Sequence, residues 1–354
     1  MSSAKPILAV TLGDAAGSGP ELIAKALVDP EVRAVCRPVV IGDAAVLEAA
    51  LAITRVPAAV HRIGGMGEIA DVPLVIDVID LKNVDLARLE RGRINALTGR
   101  AAYESIRRAV ELTLAGDAQA VVTSAINKAA LHAAGFLYDG HTELLAELCG
   151  KPKVTMMLVA GKLRVCHVST HVSLAKAIER VRPERILQVV QLAHDGVRQL
   201  GVESPHIALA GLNPHAGEGG LFGTEEIEYI MPAVEEANRR GFRVSGPFAG
   251  DTVFFRTLQG EFDCAIAMYH DQGHVAAKML GIWQGVNVTL GLPIIRTSVE
   301  HGTDFANAGK GTGDPRSLVQ ALKLAAVMAG HRNRAAPKPN VPPTGAAGAE
   351  ATRP

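Results

Sequence analysis

Short apolar runs alternate with stretches of helical periodicity along most of this chain, and nearly every run ends in glycine or a polar cluster. PILAVTLG (6–13) is followed by DAAGSG and then PELIAKALV, whose leading proline suits a first helical position. RPVVIGD (37–43) leads into AAVLEAALA, and VPLVIDVID (72–80) precedes a periodic stretch from Thr98 to Leu114 that stops at Gly116. AQAVVTSAINK (118–128) runs from a strand into a polar loop. Buried strands separated by helices demand a mainly parallel sheet, so the pattern predicts an α/β fold.

Two segments break the alternation. VTMMLVAGKLRVCHVSTHVSL holds two apolar runs around Ala160-Gly161-Lys162, a hairpin signal, and GVNVTLGLPIIRTS (285–298) reads as two strands turning near Gly291. Both add antiparallel strands. Helices are expected over 183–200, over 223–241 with a kink or split at Pro232, and over about 315–329. Residues 332–354 carry five prolines and no apolar period, which predicts a disordered tail. No internal repeat is evident.

Composition excludes several classes of function. The 354 residues are 48% hydrophobic, enough for a large core, and length alone suggests about two domains at roughly 150 residues each. Lys plus Arg and Asp plus Glu are both 36, so nothing points to nucleic acid, a membrane surface or an acidic partner. Aromatics are only 4%, which argues against base-stacking platforms. Cys36, Cys149, Cys166 and Cys264 are far apart and form no CxxC, so reduced thiols in a cytoplasmic protein are expected. The first apolar run is too short for a signal peptide or a membrane span.

The chemistry collects at strand ends. TSAINK (123–128), STH (169–171), LNPHAGEGG (212–220) and YHDQGH (269–274) each follow an apolar run, and three of them bring a histidine: His171, His215 and His270. Ligands of open α/β sheets sit beyond the carboxyl ends of strands. If these strands are neighbours, three imidazoles with open positions suit zinc or a similar divalent ion; otherwise they are unrelated loop histidines. A second group, His141, Thr142, Lys278, Asn287 and Arg296, suits an anion. His141 and Thr142 open an amphipathic segment, where backbone N–H groups attract phosphate or carboxylate. A helix cap plus surface cations is the plainer reading. GDAAGSGPE does not fit G-x-G-x-x-G and reads better as a tight strand-to-helix turn. The Gly- and Asn-containing stretch 296–311 suits a loop wrapped around a nucleotide.

VTLGDAAGSGPE, INKAALHAAGFLYDGHTE, VSTHVSL, GLNPHAGEGG, GPFAGDT, YHDQGH, GVNVTLGLPIIRTS and HGT…AGKG together resemble, in order, the 4-hydroxythreonine-4-phosphate dehydrogenase family over roughly residues 6–330. LRVCHVSTHVSLAKAIE and GEGGLFGTEE are closer to its branch acting on D-threonate or D-erythronate 4-phosphate. The resemblance implies a two-lobed isocitrate/isopropylmalate dehydrogenase-like fold. Residues 1–130 plus 275–331 would form one lobe and 131–274 the other, with a homodimer sharing its active sites. It implies a divalent metal (Zn, or Mg, Co or Mn) on His171, His215 and His270, and substrate on His141, Thr142, Lys278, Asn287 and Arg296. It implies NAD beside a loop including Gly302, Thr303, Asp304, Asn307 and Gly309. Asp251, in GDT, matches a family active-site aspartate, and Asp251 and Lys278 are the candidate bases.

The implied reaction is metal- and NAD-dependent oxidation of a 4-phosphorylated 3-hydroxy acid to a β-keto acid that decarboxylates. A cis-dihydrodiol carboxylate dehydrogenase of the terephthalate type and a non-catalytic metabolite-binding protein are the rival readings. Departures from the family pattern fall at Ala15, Ser18, Thr123-Ser124-Ala125 and Ala306-Asn307, where they touch cofactor contacts and substrate identity.

Overall fold

The computed structural model describes residues 5–150, 152–281 and 285–335. Twelve strands form one sheet. They are β1 (Ile7–Thr11), β2 (Arg37–Gly42), β3 (Ala59–Ile63), β4 (Val75–Asp80), β5 (Ala120–Thr123), β6 (Thr155–Ala160), β7 (Leu163–His167), β8 (His206–Ala210), β9 (Arg243–Phe248), β10 (Cys264–Ala267), β11 (Gly285–Leu290) and β12 (Ile295–Val299). The spatial order is β3-β4-β2-β1-β5-β12-β11-β6-β7-β10-β8-β9. β3 to β12 in that order are parallel, and so are β7, β10, β8 and β9. The antiparallel pairs β12–β11, β11–β6 and β6–β7 join the two halves, so the second parallel block runs opposite to the first.

The central strands β1, β5, β6 and β10 are buried almost throughout, as continuous apolar runs require when helices cover both faces. The helix Ala96–Leu114 lays Ala102, Ile106, Ala109 and Val110 onto one face, and Arg316–Ala335 lays Leu318, Leu322, Ala325 and Ala329 onto the other. Pro183 opens the helix Pro183–Gln199. The 223–241 segment does split at Pro232. A π-helical turn, Glu226–Ile230, is followed by the α-helix Met231–Arg239.

One expectation needs correction. The tail does not begin at 332. The last helix runs to Ala335, Arg332 donates to the Pro293 carbonyl at 2.8 Å, and Pro337 stands just beyond. Residues 336–354 lie outside the described residues. His270 stands just beyond the end of β10 and is the first residue of the helix His270–Lys278. Finally, β3 and β9 give little apolar signal: they are the outermost strands, and β3 buries only Ile63. Among the described residues no helix is long and apolar enough to cross a membrane.

Candidate active site

β7, β10 and β8 are adjacent and parallel, so the segments carrying His171, His270 and His215 leave one edge of the sheet together. The His171 and His270 rings lie 5.6 Å apart between centroids. Two imidazoles sharing one ion at about 2.1 Å have centroids roughly 5–6 Å apart, so this pair fits a common metal. His270 Nδ1 sits 2.6 Å from Asp271 Oδ1. A carboxylate only accepts, so Nδ1 donates in this pair, and the nitrogen left to face a metal is Nε2. The same bond lowers the Asp271 carboxyl below its usual range. Burial, then the neighbouring His270 and Lys128, hold His171 below the ordinary imidazole value, which favours the neutral ligand form.

His215 stands apart. Its backbone is left-handed, with φ +52°, and its ring lies 6.0 Å from that of Phe222. It lines a cavity with Asn213, Asp251, Tyr269, Asp271 and Gln272. His171 and His270 line the adjoining one, and Tyr269 and Asp271 belong to both walls. Among the described residues no three His, Cys, Asp or Glu side chains stand as a ready-made metal cluster. The structure therefore pairs two of the three histidines and leaves the third on the next wall.

The anion group is more fully assembled. Arg296 is 2% exposed; its guanidinium donates to Thr123 Oγ1 at 2.6 and 3.1 Å and to Thr289 Oγ1 at 2.9 Å. Burial lowers its pKa to about 9, so it stays charged at neutral pH. His141 opens the helix His141–Leu148; burial and the Arg296 charge keep it neutral, and its Nε2 is buried without a partner. Asn287 Oδ1 is likewise buried and unpartnered. A buried cation whose side-chain partners are threonine hydroxyls, beside two unpartnered polar atoms, fits a bound anion carrying hydroxyls. Glu143 acts electrostatically on both Arg296 and His171, which links this group to the histidine edge. Thr142 is half-buried in the same helix, whereas Lys278 is exposed at the end of the helix His270–Lys278 and Asp251 is exposed on the His215 wall.

In the 302–311 loop, both Asp304 oxygens accept from Asn307 Nδ2, at 2.9 and 3.0 Å. Thr303 O accepts from Ser18 N–H at 2.9 Å, and Gly309 N–H donates to Glu21. Gly302 has open space where a side chain would be.

A family model described as pyridoxal phosphate biosynthetic protein PdxA matches residues 34–325. The chain belongs to the PdxA family. It is 47% identical over 333 residues to the D-threonate 4-phosphate dehydrogenase of Cupriavidus necator, covering 94% of this chain and 100% of that protein. The crystal structure of a 4-hydroxythreonine-4-phosphate dehydrogenase from Burkholderia phymatum superposes with a TM-score of 0.83 at 46% identity, over 92% of this chain and 99% of that one. A terephthalate 1,2-cis-dihydrodiol dehydrogenase from Burkholderia xenovorans is more distant, with a TM-score of 0.65 at 28% identity over 91% and 98%.

Several residues of this PdxA-family site escape a sequence reading. Buried Glu226 accepts from the N–H groups of Leu212 and Asn213, both at 2.7 Å, and from Asn213 Nδ2 at 2.9 Å, pinning the loop that carries His215. Glu300, whose carboxyl burial raises, feels Lys278. Two further histidines extend the series inward. His274 stacks on His270 at 3.6 Å, and His167 lies 4.7 Å from His274. His167 follows an apolar run as His171 does; its position inside β7 was the signal that it is buried.

His167 is fully buried, neither ring nitrogen has a partner, and burial followed by the His274 and His270 charges lowers its pKa to about 3. Unfolding restores an ordinary value near 6.5, so the unfolded chain binds the proton first as pH falls. Stability is then lost from about pH 6.5 downward, by about 2 kcal/mol at pH 5 for this one group. Denaturant unfolding of His167→Leu should show a smaller pH 7 to pH 5 loss than the unsubstituted chain. Equal losses in both would remove His167 as the cause.

Proposed function

We propose that this chain is an NAD- and divalent-metal-dependent dehydrogenase that oxidises a 4-phosphorylated 3-hydroxy acid, D-threonate or D-erythronate 4-phosphate before 4-hydroxythreonine 4-phosphate. The observation that carries this reading is the buried, charged Arg296 beside the unfilled His141 Nε2 and Asn287 Oδ1, set against paired histidines at a strand edge. The names of the relatives support the same chemistry. Arg296, His141, Thr142, Asn287 and Lys278 hold the substrate and its phosphate. His171, His270 and His215 hold the metal, which when bound lowers the pKa of the substrate hydroxyl and stabilises enolate charge. Asp251 and Lys278 are the proposed proton acceptors for that hydroxyl. NAD, held beside the loop with Gly302, Thr303, Asp304, Asn307 and Gly309, would supply the hydride acceptor, and the β-keto acid so formed would lose CO₂, the electron pair of the broken C–C bond forming an enolate that a proton quenches.

A second copy of the chain completes the assembly in this reading. Phe255 and Val275, 63% and 61% exposed, line a cavity that adjoins the His215 cavity, an apolar face that suits a partner.

The test is NADH production with a divalent ion and a panel: the two phosphorylated sugar acids, 4-hydroxythreonine 4-phosphate and a cis-dihydrodiol carboxylate. Turnover of a phosphorylated acid that chelation abolishes is expected. Turnover of the dihydrodiol alone would reassign the anion group to a carboxylate. Silence with all four would favour a binding protein.

A further inference from the structure

The motif GDAAGSGPE supplies no residue of the histidine or anion groups, yet its contacts with the 302–313 loop go well beyond the two bonds already described. Its glycines serve close packing. A Cβ on Gly17 would lie 2.5 Å from Thr303 O, and one on Gly19 would lie 2.6 Å from Ser124 Oγ. The last residue, Glu21, sits in the first turn of the helix Gly19–Ala26 and is only 2% exposed. Its Oε1 accepts from Gly309 N–H at 2.5 Å and its Oε2 from Gly311 N–H at 2.7 Å. One turn later on the same helix face, Lys25 Nζ donates to Gly311 O at 2.7 Å and to Gly313 O at 2.8 Å. Ser18 N–H adds its bond to Thr303 O. One helix end therefore holds both donors and acceptors of a loop some 288 residues away.

We propose that Glu21 and Lys25 are positioning residues that shape the 302–313 loop for the dinucleotide. The inference rests on reading that loop as the NAD site. Gly309 and Gly311 have φ of +82° and +68°, so their N–H groups point where an ordinary loop would not send them, and the carboxylate reads both. Burying a carboxylate is costly, and an apolar side chain would pack the same space more cheaply. What a carboxylate adds is direction: two oxygens fix two amides, and the Lys25 ammonium fixes the Gly311 and Gly313 carbonyls that follow them. The Gly309 and Gly311 amides are thereby committed to Glu21 and are unavailable to a phosphate. The cofactor contact expected of Gly309 becomes an indirect one, made by the shape of the loop. Gly302 is exposed, and the Asp304–Asn307 pair is half-buried beside it.

Glu21→Gln keeps the size of the side chain but turns one acceptor into a donor facing an amide. In the full chain it should weaken NAD binding, measured by calorimetric titration, by about tenfold or more. Metal affinity and the KM for the phosphorylated acid should stay as in the parent. Limited proteolysis should cut within 302–313 faster than in the parent. Lys25→Met should act in the same direction, and Glu21→Asp should restore part of the loss. Faster cleavage with unchanged NAD affinity would overturn the dinucleotide reading of the loop while keeping the clamp. Unchanged cleavage would overturn the clamp itself. Equal losses of NAD, metal and acid binding in both variants would reduce the pair to general stability and overturn the positioning role.

Discussion

His270→Ala is expected to cut turnover by roughly a thousandfold, or about 4 kcal/mol of barrier, and to do so with the fold intact. The size follows from the place of the imidazole in the proposed centre. Its Nδ1 donates to Asp271, and its ring stands 5.6 Å between centroids from that of His171, a spacing that suits a shared ion. Removing it leaves a single paired histidine and a third on the adjoining wall, too few to retain an ion that must also bind substrate. The cost to stability should be small, because the side chain is about a third exposed at the first position of a helix and fills no core space. Metal content after dialysis and NADH production under excess metal would be measured together. A variant that keeps a full complement of metal and turns over normally would remove His270 from the centre.

Arg296→Met should raise the KM for the phosphorylated acid about a hundredfold, close to 3 kcal/mol, with a smaller effect on kcat. Two charge-assisted hydrogen bonds at about 1.5 kcal/mol each account for that figure. The denaturation midpoint should hardly move, because replacing a buried cation by an apolar chain of similar length recovers desolvation energy. Thr123 and Thr289, which now accept from the guanidinium, can turn their hydroxyls to other partners. Arg296→Lys should recover only part of the affinity, since an ammonium lacks the planar fork. An unchanged KM in Arg296→Met would place the substrate anion elsewhere.

The buried half of this fold was readable because burial leaves a mark in composition. β1, β5, β6 and β10 are apolar runs, and the hairpin at Gly161 and the turn at Gly291 stand where their glycines are. β3 and β9 were not readable, because an edge strand shows half its residues to water and loses the apolar run. The site divided in the same way. His171, His215 and His270 stood out because polar groups crowd the ends of buried strands. Glu21 and Glu226 did not, since a carboxylate in a helix looks solvated until its partners are known, and those partners come from other loops. His215 shows a further limit: sequence order placed its loop at the right strand end, but the left-handed turn decides where its ring points.

The seam of the sheet bears on how the chain is made. β12 lies between β5 and β11, and the first helix ends its contacts on residues 309–313. A ribosome releasing this chain exposes β5 long before its neighbour exists, and β11 emerges only a few residues ahead. Until residue 299 has cleared the exit tunnel, the nascent protein consists of two half-sheets, each with an open, apolar rim inviting a wrong partner. Closing the seam is therefore a nearly post-translational step, and holdase chaperones have their natural work in the interval before it.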